Sequence, residues 1–118
     1  RFNYIFRATQ KGGGKPQLDL NLIKAQQGFS IHGQQIFPIE VFHGELSILG
    51  FKIDGLSYIT DASALPPTTL DALNPTEILV INALRFRHHP THFTLEQGCF
   101  RISTILFGAS YSQEEYYP

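Results

Sequence analysis

The chain has 118 residues, the size of one compact domain, and its 42% hydrophobic and 16% charged content implies a packed core rather than disorder. A formal net charge of −1 and a pI near 6.6 lack the basic excess that nucleic-acid binders use to meet phosphate backbones, so no nucleic-acid partner is expected. Cys99 is the single cysteine, which excludes an intrachain disulfide and a cysteine-rich zinc site, and no apolar run is long enough to cross a bilayer as a helix.

The chain opens on Arg1 without a signal-peptide pattern, so a processed, truncated or internally read product is expected, cytoplasmic and without a membrane partner. The segment KGGGKP, residues 11–16, is a flexible glycine-rich loop by composition. Leu18, Leu20 and Leu22 then alternate with Asp19 and Asn21, the period of a half-buried strand. A second alternation sets Ile39, Val41 and His43 on one face and Glu40 and Phe42 on the other. Leu49–Ile53 and Leu56–Thr60 flank Asp54-Gly55, a dipeptide that favours a type I′ hairpin turn. Pro66-Pro67 opens a short helix from Pro67 to Leu73.

Glu77 to Ala83 is almost continuously apolar, with Asn82 inside it, and predicts a strand covered on both faces. A polar loop follows with Arg85, Arg87, His88, His89, Pro90 and His92. Thr94 and Gln97 have the spacing of a capping box at a helix start. Gly98-Cys99-Phe100 is expected to break that helix, leaving Phe100–Phe107 strand-like or unpatterned and residues 98–118 as a tail. Cys99 lies in apolar sequence and reads as a buried thiol. The order of elements predicts an α/β (α+β layered) fold, a single incomplete domain over residues 1–118, with one sheet face awaiting a cover.

His43 and Asp61 both fall at strand ends, where rigid elements can hold a metal ligand pair. The same positions suit a hydrogen-bonded surface histidine and a turn or capping aspartate. RFRHHPTH, residues 85–92, offers Arg forks and His donors to a phosphate or carboxylate, or forms a solvated loop. His88, His89 and His92 do not have the spacing of a helical His-Glu-x-x-His zinc motif, and neither a Gly-x-Ser-x-Gly elbow nor a phosphate-binding glycine loop occurs.

Three motifs occur in order: His43-Gly44-Glu45-Leu46 before the hairpin, Thr60-Asp61 after it, and Pro90-Thr91-His92-Phe93-Thr94-Leu95-Glu96. With the sequence between Ile39 and Gln97, they resemble the later half of the metallo-β-lactamase superfamily, in the branch of phosphoribosyl cyclic phosphate phosphodiesterases and PqqB. The resemblance implies a partial αββα sandwich, mostly its second half. It implies that His43 is a metal ligand, Asp61 the carboxylate bridging two metals, and His92 a catalytic histidine that contacts phosphate without ligating metal. A divalent metal, Zn or Mn, would belong to the complete parent, with little or none in this chain, and the parent's substrate would be a small-molecule phosphoester.

The chain departs from that pattern in four ways. No His-x-His-x-Asp-His string occurs, no histidine follows Gln97, residues 98–118 diverge, and Asn82 stands where relatives often carry Asp. The expected function is therefore a fragment of a metal-dependent hydrolase, from a phosphodiesterase parent and inactive as this chain. The alternatives are a non-catalytic interaction module, or a truncated or frameshifted product without activity. An uncovered sheet face also predicts self-association of the fragment.

Overall fold

Alternating apolar residues and turn-forming pairs build most of this chain, whose computed structural model describes residues 19–107. The order is β1 (Phe29–Ile31), β2 (Gln34–His43), β3 (Leu46–Ile53), β4 (Leu56–Ile59), α1 (Pro67–Ala72), β5 (Ile78–Ile81) and α2 (Leu95–Phe107). The five strands form one sheet in the order β1-β2-β3-β4-β5. The first four are joined as antiparallel hairpins, and β5 returns parallel to β4 after the α1 crossover.

Each hairpin turns on two residues. His32-Gly33 joins β1 to β2 with both φ angles positive, the type I′ requirement. Gly44-Glu45 joins β2 to β3, and its φ of 63° at Gly44 is one that a side chain resists. The Asp54-Gly55 turn forms where the sequence places it, pairing Ile53 with Leu56. Its left-handed residue is Asp54 alone, at φ 50°, so the expected type I′ pair is not formed.

Register decides the faces. Ile39 opposes Gly50, Val41 opposes Ile48 and His43 opposes Leu46, so these residues share one side of the sheet with Ser57, Ile59, Leu79 and Ile81. Here lies the core: Ile39, Val41, Ile59, Ala62, Leu65, Leu73, Phe93 and Ile105. Lys52 reaches across this side to donate from Nζ to the carbonyl of Ala72 at the end of α1 (3.0 Å), a favourable place for a cation. Buried Ser57 is satisfied by Thr76 at 2.8 Å.

Four further expectations need correction. The Leu18–Leu22 strand does not form in its described part: residues 19–24 have no regular structure, and Leu22 is 99% exposed with no facing strand to bury it. Leu18 and the 11–16 loop lie outside the described residues. The strand predicted at Glu77–Ala83 forms as β5, but it is not covered on both faces. As the last strand of the sheet it leaves Ile78 61% and Val80 39% exposed, beside exposed Tyr58 on β4.

The helix after Thr94 does not break at Gly98; it runs to Phe107. Gly98 is a packing glycine, since a Cβ there would sit 3.3 Å from the Ala83 Cβ and 3.5 Å from the Asn82 carbonyl, where α2 crosses the end of β5. Finally, Cys99 on the far side of that helix is exposed rather than buried.

Two isoleucines separate the covered side of the sheet from the open one. Ile39→Ala should lower the unfolding free energy in urea by about 2–5 kcal/mol, because a fully buried side chain leaves a cavity. Ile78→Ala should stay within about 0.5 kcal/mol of the parent chain, as exposed positions do.

Candidate metal and phosphate site

The His43 end of β2 is joined to the chain after β4 by a short run of backbone bonds. Phe42 donates to the Ala64 carbonyl (3.0 Å), while Ser63 and Ala64 donate to the Phe42 carbonyl (2.7 and 3.3 Å). The Ser63 hydroxyl donates to the same carbonyl (3.1 Å) and accepts from the Gly44 amide (2.9 Å). Both neighbours of His43 are thus tied to residues just past Asp61.

Asp61 itself has φ 57°, the left-handed region that non-glycine residues seldom occupy. The next residue, Ala62, is fully buried. Its N–H donates to Asn82 Oδ1 (2.8 Å), and its carbonyl accepts from Asn82 Nδ2 (2.9 Å) and from the Phe93 amide (2.8 Å). That last bond places His92, one residue before Phe93, beside Asp61.

The 85–94 segment is anchored at its far end by the expected capping box. Thr94 N–H donates to Gln97 Oε1 (3.0 Å), and Gln97 N–H to Thr94 Oγ1 (3.2 Å), which satisfies two amides at the start of α2. Leu95 N–H also reaches back to the Arg85 carbonyl (3.0 Å).

These restraints bring together the three residues singled out from sequence. His92 Nε2 lies 3.4 Å from His43 Nε2, with the rings edge to face, and His92 Nδ1 lies 3.7 Å from Asp61 Oδ1. His92 is largely enclosed, its side chain 18% exposed, whereas the Asp61 carboxylate is 66% exposed and open to an incoming cation. His89 joins as a fourth member, its ring centroid 5.0 Å from that of His92, while His88, Arg85 and Arg87 remain exposed. The 85–92 loop is therefore part site and part solvated surface. A cleft of about 600 Å³ opens beside the histidines, walled by Gly44, the Ser63–Pro67 segment and the first turns of α2.

One imidazole has a defined proton. The Thr91 N–H can only donate, and it approaches His89 Nδ1 at 3.3 Å, so Nδ1 accepts and the proton resides on Nε2. Partial burial, then the nearby Arg85 guanidinium and the other imidazoles, hold His89 below its ordinary value of 6.5.

Imidazole nitrogens and a carboxylate are the donor types of zinc and manganese sites. Their number is small: among the described residues, no group of three or more His, Cys, Asp or Glu converges on a point that could hold a metal ion. A catalytic zinc normally has three protein ligands. His43 and Asp61 are two residues of the donor types such a shell uses, short of that number.

Sequence reading passed over Ser63, took His89 only as one donor of the 85–92 loop, and gave Asn82 no role. Asn82 did carry a signal, as the one polar side chain inside the apolar Ile78–Ala83 run.

No family model matches the chain. An octanoyltransferase of Porphyromonas gingivalis (strain ATCC BAA-308 / W83) is 34% identical over 106 residues, which is 89% of this chain and 21% of the relative. A solved structure described as a new diphosphatase from the PhnP family superposes with a TM-score of 0.77 at 29% identity, over 88% of this chain and 37% of that one. The chain thus spans about a fifth of the curated relative and little more than a third of the solved structure. Its architecture is a mixed α/β sheet with helices, a partial metallo-β-lactamase fold. Among the described residues no helix is long and apolar enough to cross a membrane.

The depressed His89 has a signed consequence. Its folded-state pKa lies below that of the unfolded chain, so as pH falls the unfolded chain takes up the proton first. The fold is unpenalised above the ordinary value and loses stability as pH falls through it. An NMR titration should place the His89 midpoint below 6.5, and Arg85→Gln should move it part of the way back up.

Proposed function

We propose that this chain supplies part of the active site of a metal-dependent phosphoester hydrolase, with His43 and Asp61 as metal ligands and His92 as the catalytic histidine that meets the phosphate. The observation that carries this reading is the meeting of the three side chains, from three separate segments, at one rim of the sheet. The similarity to the PhnP-family diphosphatase supports a phosphoester as substrate, and the motifs around His43, Asp61 and His92 favour the phosphodiesterase branch.

Divalent zinc or manganese, when bound, would polarise the phosphoryl oxygen and furnish hydroxide near neutral pH. The chain's own residues do the rest. The exposed carboxylate of Asp61 and the imidazole of His43 offer anionic and neutral donors to the metals. His92 has Asp61 on its Nδ1 side and His43 beside its Nε2, and in the proposed role Nε2 would donate to a phosphoryl oxygen or to the departing alkoxide. The adjoining cleft gives a small phosphoester room beside His92 and His89.

Octanoyl transfer is named for the whole of a relative of which this chain matches a fifth. Cys99, the one thiol, lies on the exposed side of α2 away from the histidines that line the cleft, so no acyl-transfer role is assigned to it.

With only part of the ligand set, the 118-residue chain should retain well under one equivalent of metal when purified without chelator. It should leave bis-para-nitrophenyl phosphate at background with added Mn²⁺ or Zn²⁺. In a complete protein that carries this segment, His92→Ala should lower kcat on a phosphodiester by about 10²–10⁴-fold at unchanged metal content. His43→Ala should remove metal and activity together. Metal loss in His92→Ala would make His92 a ligand, and unchanged kcat would remove it from catalysis.

The exposed face formed by Tyr58, Ile78 and Val80, next to the edge of β5 that no described strand pairs, further leads us to propose that the chain self-associates. Light scattering across a dilution series should show mass falling towards the monomer as concentration drops. A monomer at every concentration contradicts this.

A further inference from the structure

We infer that Asn82 is a positioning residue that fixes Asp61 relative to His92 by holding both polar groups of the Ala62 peptide backbone. The inference rests on the reading that Asp61 and His92 belong to one site, and it adds the element that maintains their geometry.

Asn82 is the first residue past β5, on a run otherwise apolar, and its side chain turns towards the segment after β4 rather than to solvent. Its Oδ1 accepts from the Ala62 N–H at 2.8 Å and its Nδ2 donates to the Ala62 carbonyl at 2.9 Å. One side chain thus copies the pairing that a neighbouring strand would offer, at a point where the parallel β4–β5 ladder has ended with Ile59 opposite Ile81. The pairing needs a donor and an acceptor on one short side chain. Asparagine has both, whereas an ionised aspartate has no donor and would face the Ala62 carbonyl with negative charge.

Two consequences converge on the site. Asp61 keeps a left-handed backbone, φ 57°, which a non-glycine residue holds only when its surroundings over-determine it. The clamp on the following residue is such a restraint. The Ala62 carbonyl also accepts from the Phe93 amide at 2.8 Å, so the peptide gripped by Asn82 is the one that sets the position of His92's neighbour. Gly98 of α2 lies beside Asn82, where a Cβ would meet its carbonyl oxygen at an ordinary contact distance of 3.5 Å. Asn82 therefore links β5 to the backbone beside Asp61 and His92 without touching a reacting group.

The test uses the labelled 118-residue chain and its Asn82→Ala and Asn82→Asp variants, without metal, so that it does not depend on catalysis. Amide exchange reads the clamp at Ala62, and the HN–Hα coupling of Asp61 reads its φ. In both variants near neutral pH, Ala62 exchange should quicken by about tenfold, as for one lost buried hydrogen bond. The Asp61 coupling should move off its left-handed value, while the β2–β3 amides keep their protection. Unchanged Ala62 exchange and Asp61 coupling would overturn the inference. So would a uniform loss of protection or unfolding in both variants, which would make Asn82 a general stability residue. Failure of the metal-site reading looks different, because it leaves these backbone signatures in place.

Discussion

Backbone polar groups just past Asp61 carry the organisation of this molecule. Buried N–H and C=O groups must find partners, and residues Ala62 to Ala64 find theirs in three directions. Ser63 and Ala64 pair with Phe42 at the end of β2, and Ala62 pairs with Asn82 beyond β5 and with Phe93 before α2. Each bond is worth only about 1 kcal/mol net, but leaving any of these buried groups unpaired costs more, so the set closes as a unit. His43, Asp61 and His92 are each adjacent in sequence to a member of that set. The backbone bonds beside them bring the three side chains together.

The same arrangement explains why the site sits at a rim. One side of the sheet is filled by Ile39, Val41 and Ile59 under Leu73, Phe93 and Ile105, and it supplies the rigid base. The strand ends rise above that core, where the Asp61 carboxylate stays open while His92 is enclosed. Among the described residues the opposite side of β4 and β5 is apolar and exposed at Tyr58, Ile78 and Val80. This accords with a chain that spans little more than a third of the solved structure it resembles. A partial fold can thus hold a local constellation of side chains in place.

Much of this was legible in the sequence. Alternation at Ile39, Val41 and His43, the Asp54-Gly55 pair and the Thr94/Gln97 spacing are local signals, and the hairpin and the capping box follow from them. The three candidate residues and their sharing of one rim were legible from strand ends and from the resemblance, but the bonds that bring them together were not, because these are nonlocal bonds to Ala62 and Phe42. Gly98 misled for a related reason. A glycine inside a helix and a glycine ending one are alike in sequence, and only the approach of Ala83 and Asn82 tells them apart. The β5 run misled because apolar composition records what a strand can bury, and among the described residues Ile78 and Val80 stay exposed. Leu20 and Leu22 pair with no strand among the described residues, and a period without a partner does not make a strand.

The central claim, that the segment after β4 gathers His43, Asp61 and His92 into one cation-attracting site, is tested most directly by titrating the labelled chain with Mn²⁺. The ion's paramagnetism broadens nearby resonances steeply with distance, so even weak occupancy is mapped. The account requires that His43 and Asp61 broaden first, that His92 follows at the next lowest concentration, and that His43→Ala abolishes the pattern. Broadening centred on other carboxylates, such as Glu45 or Glu96, with His43 and Asp61 unaffected, would contradict it.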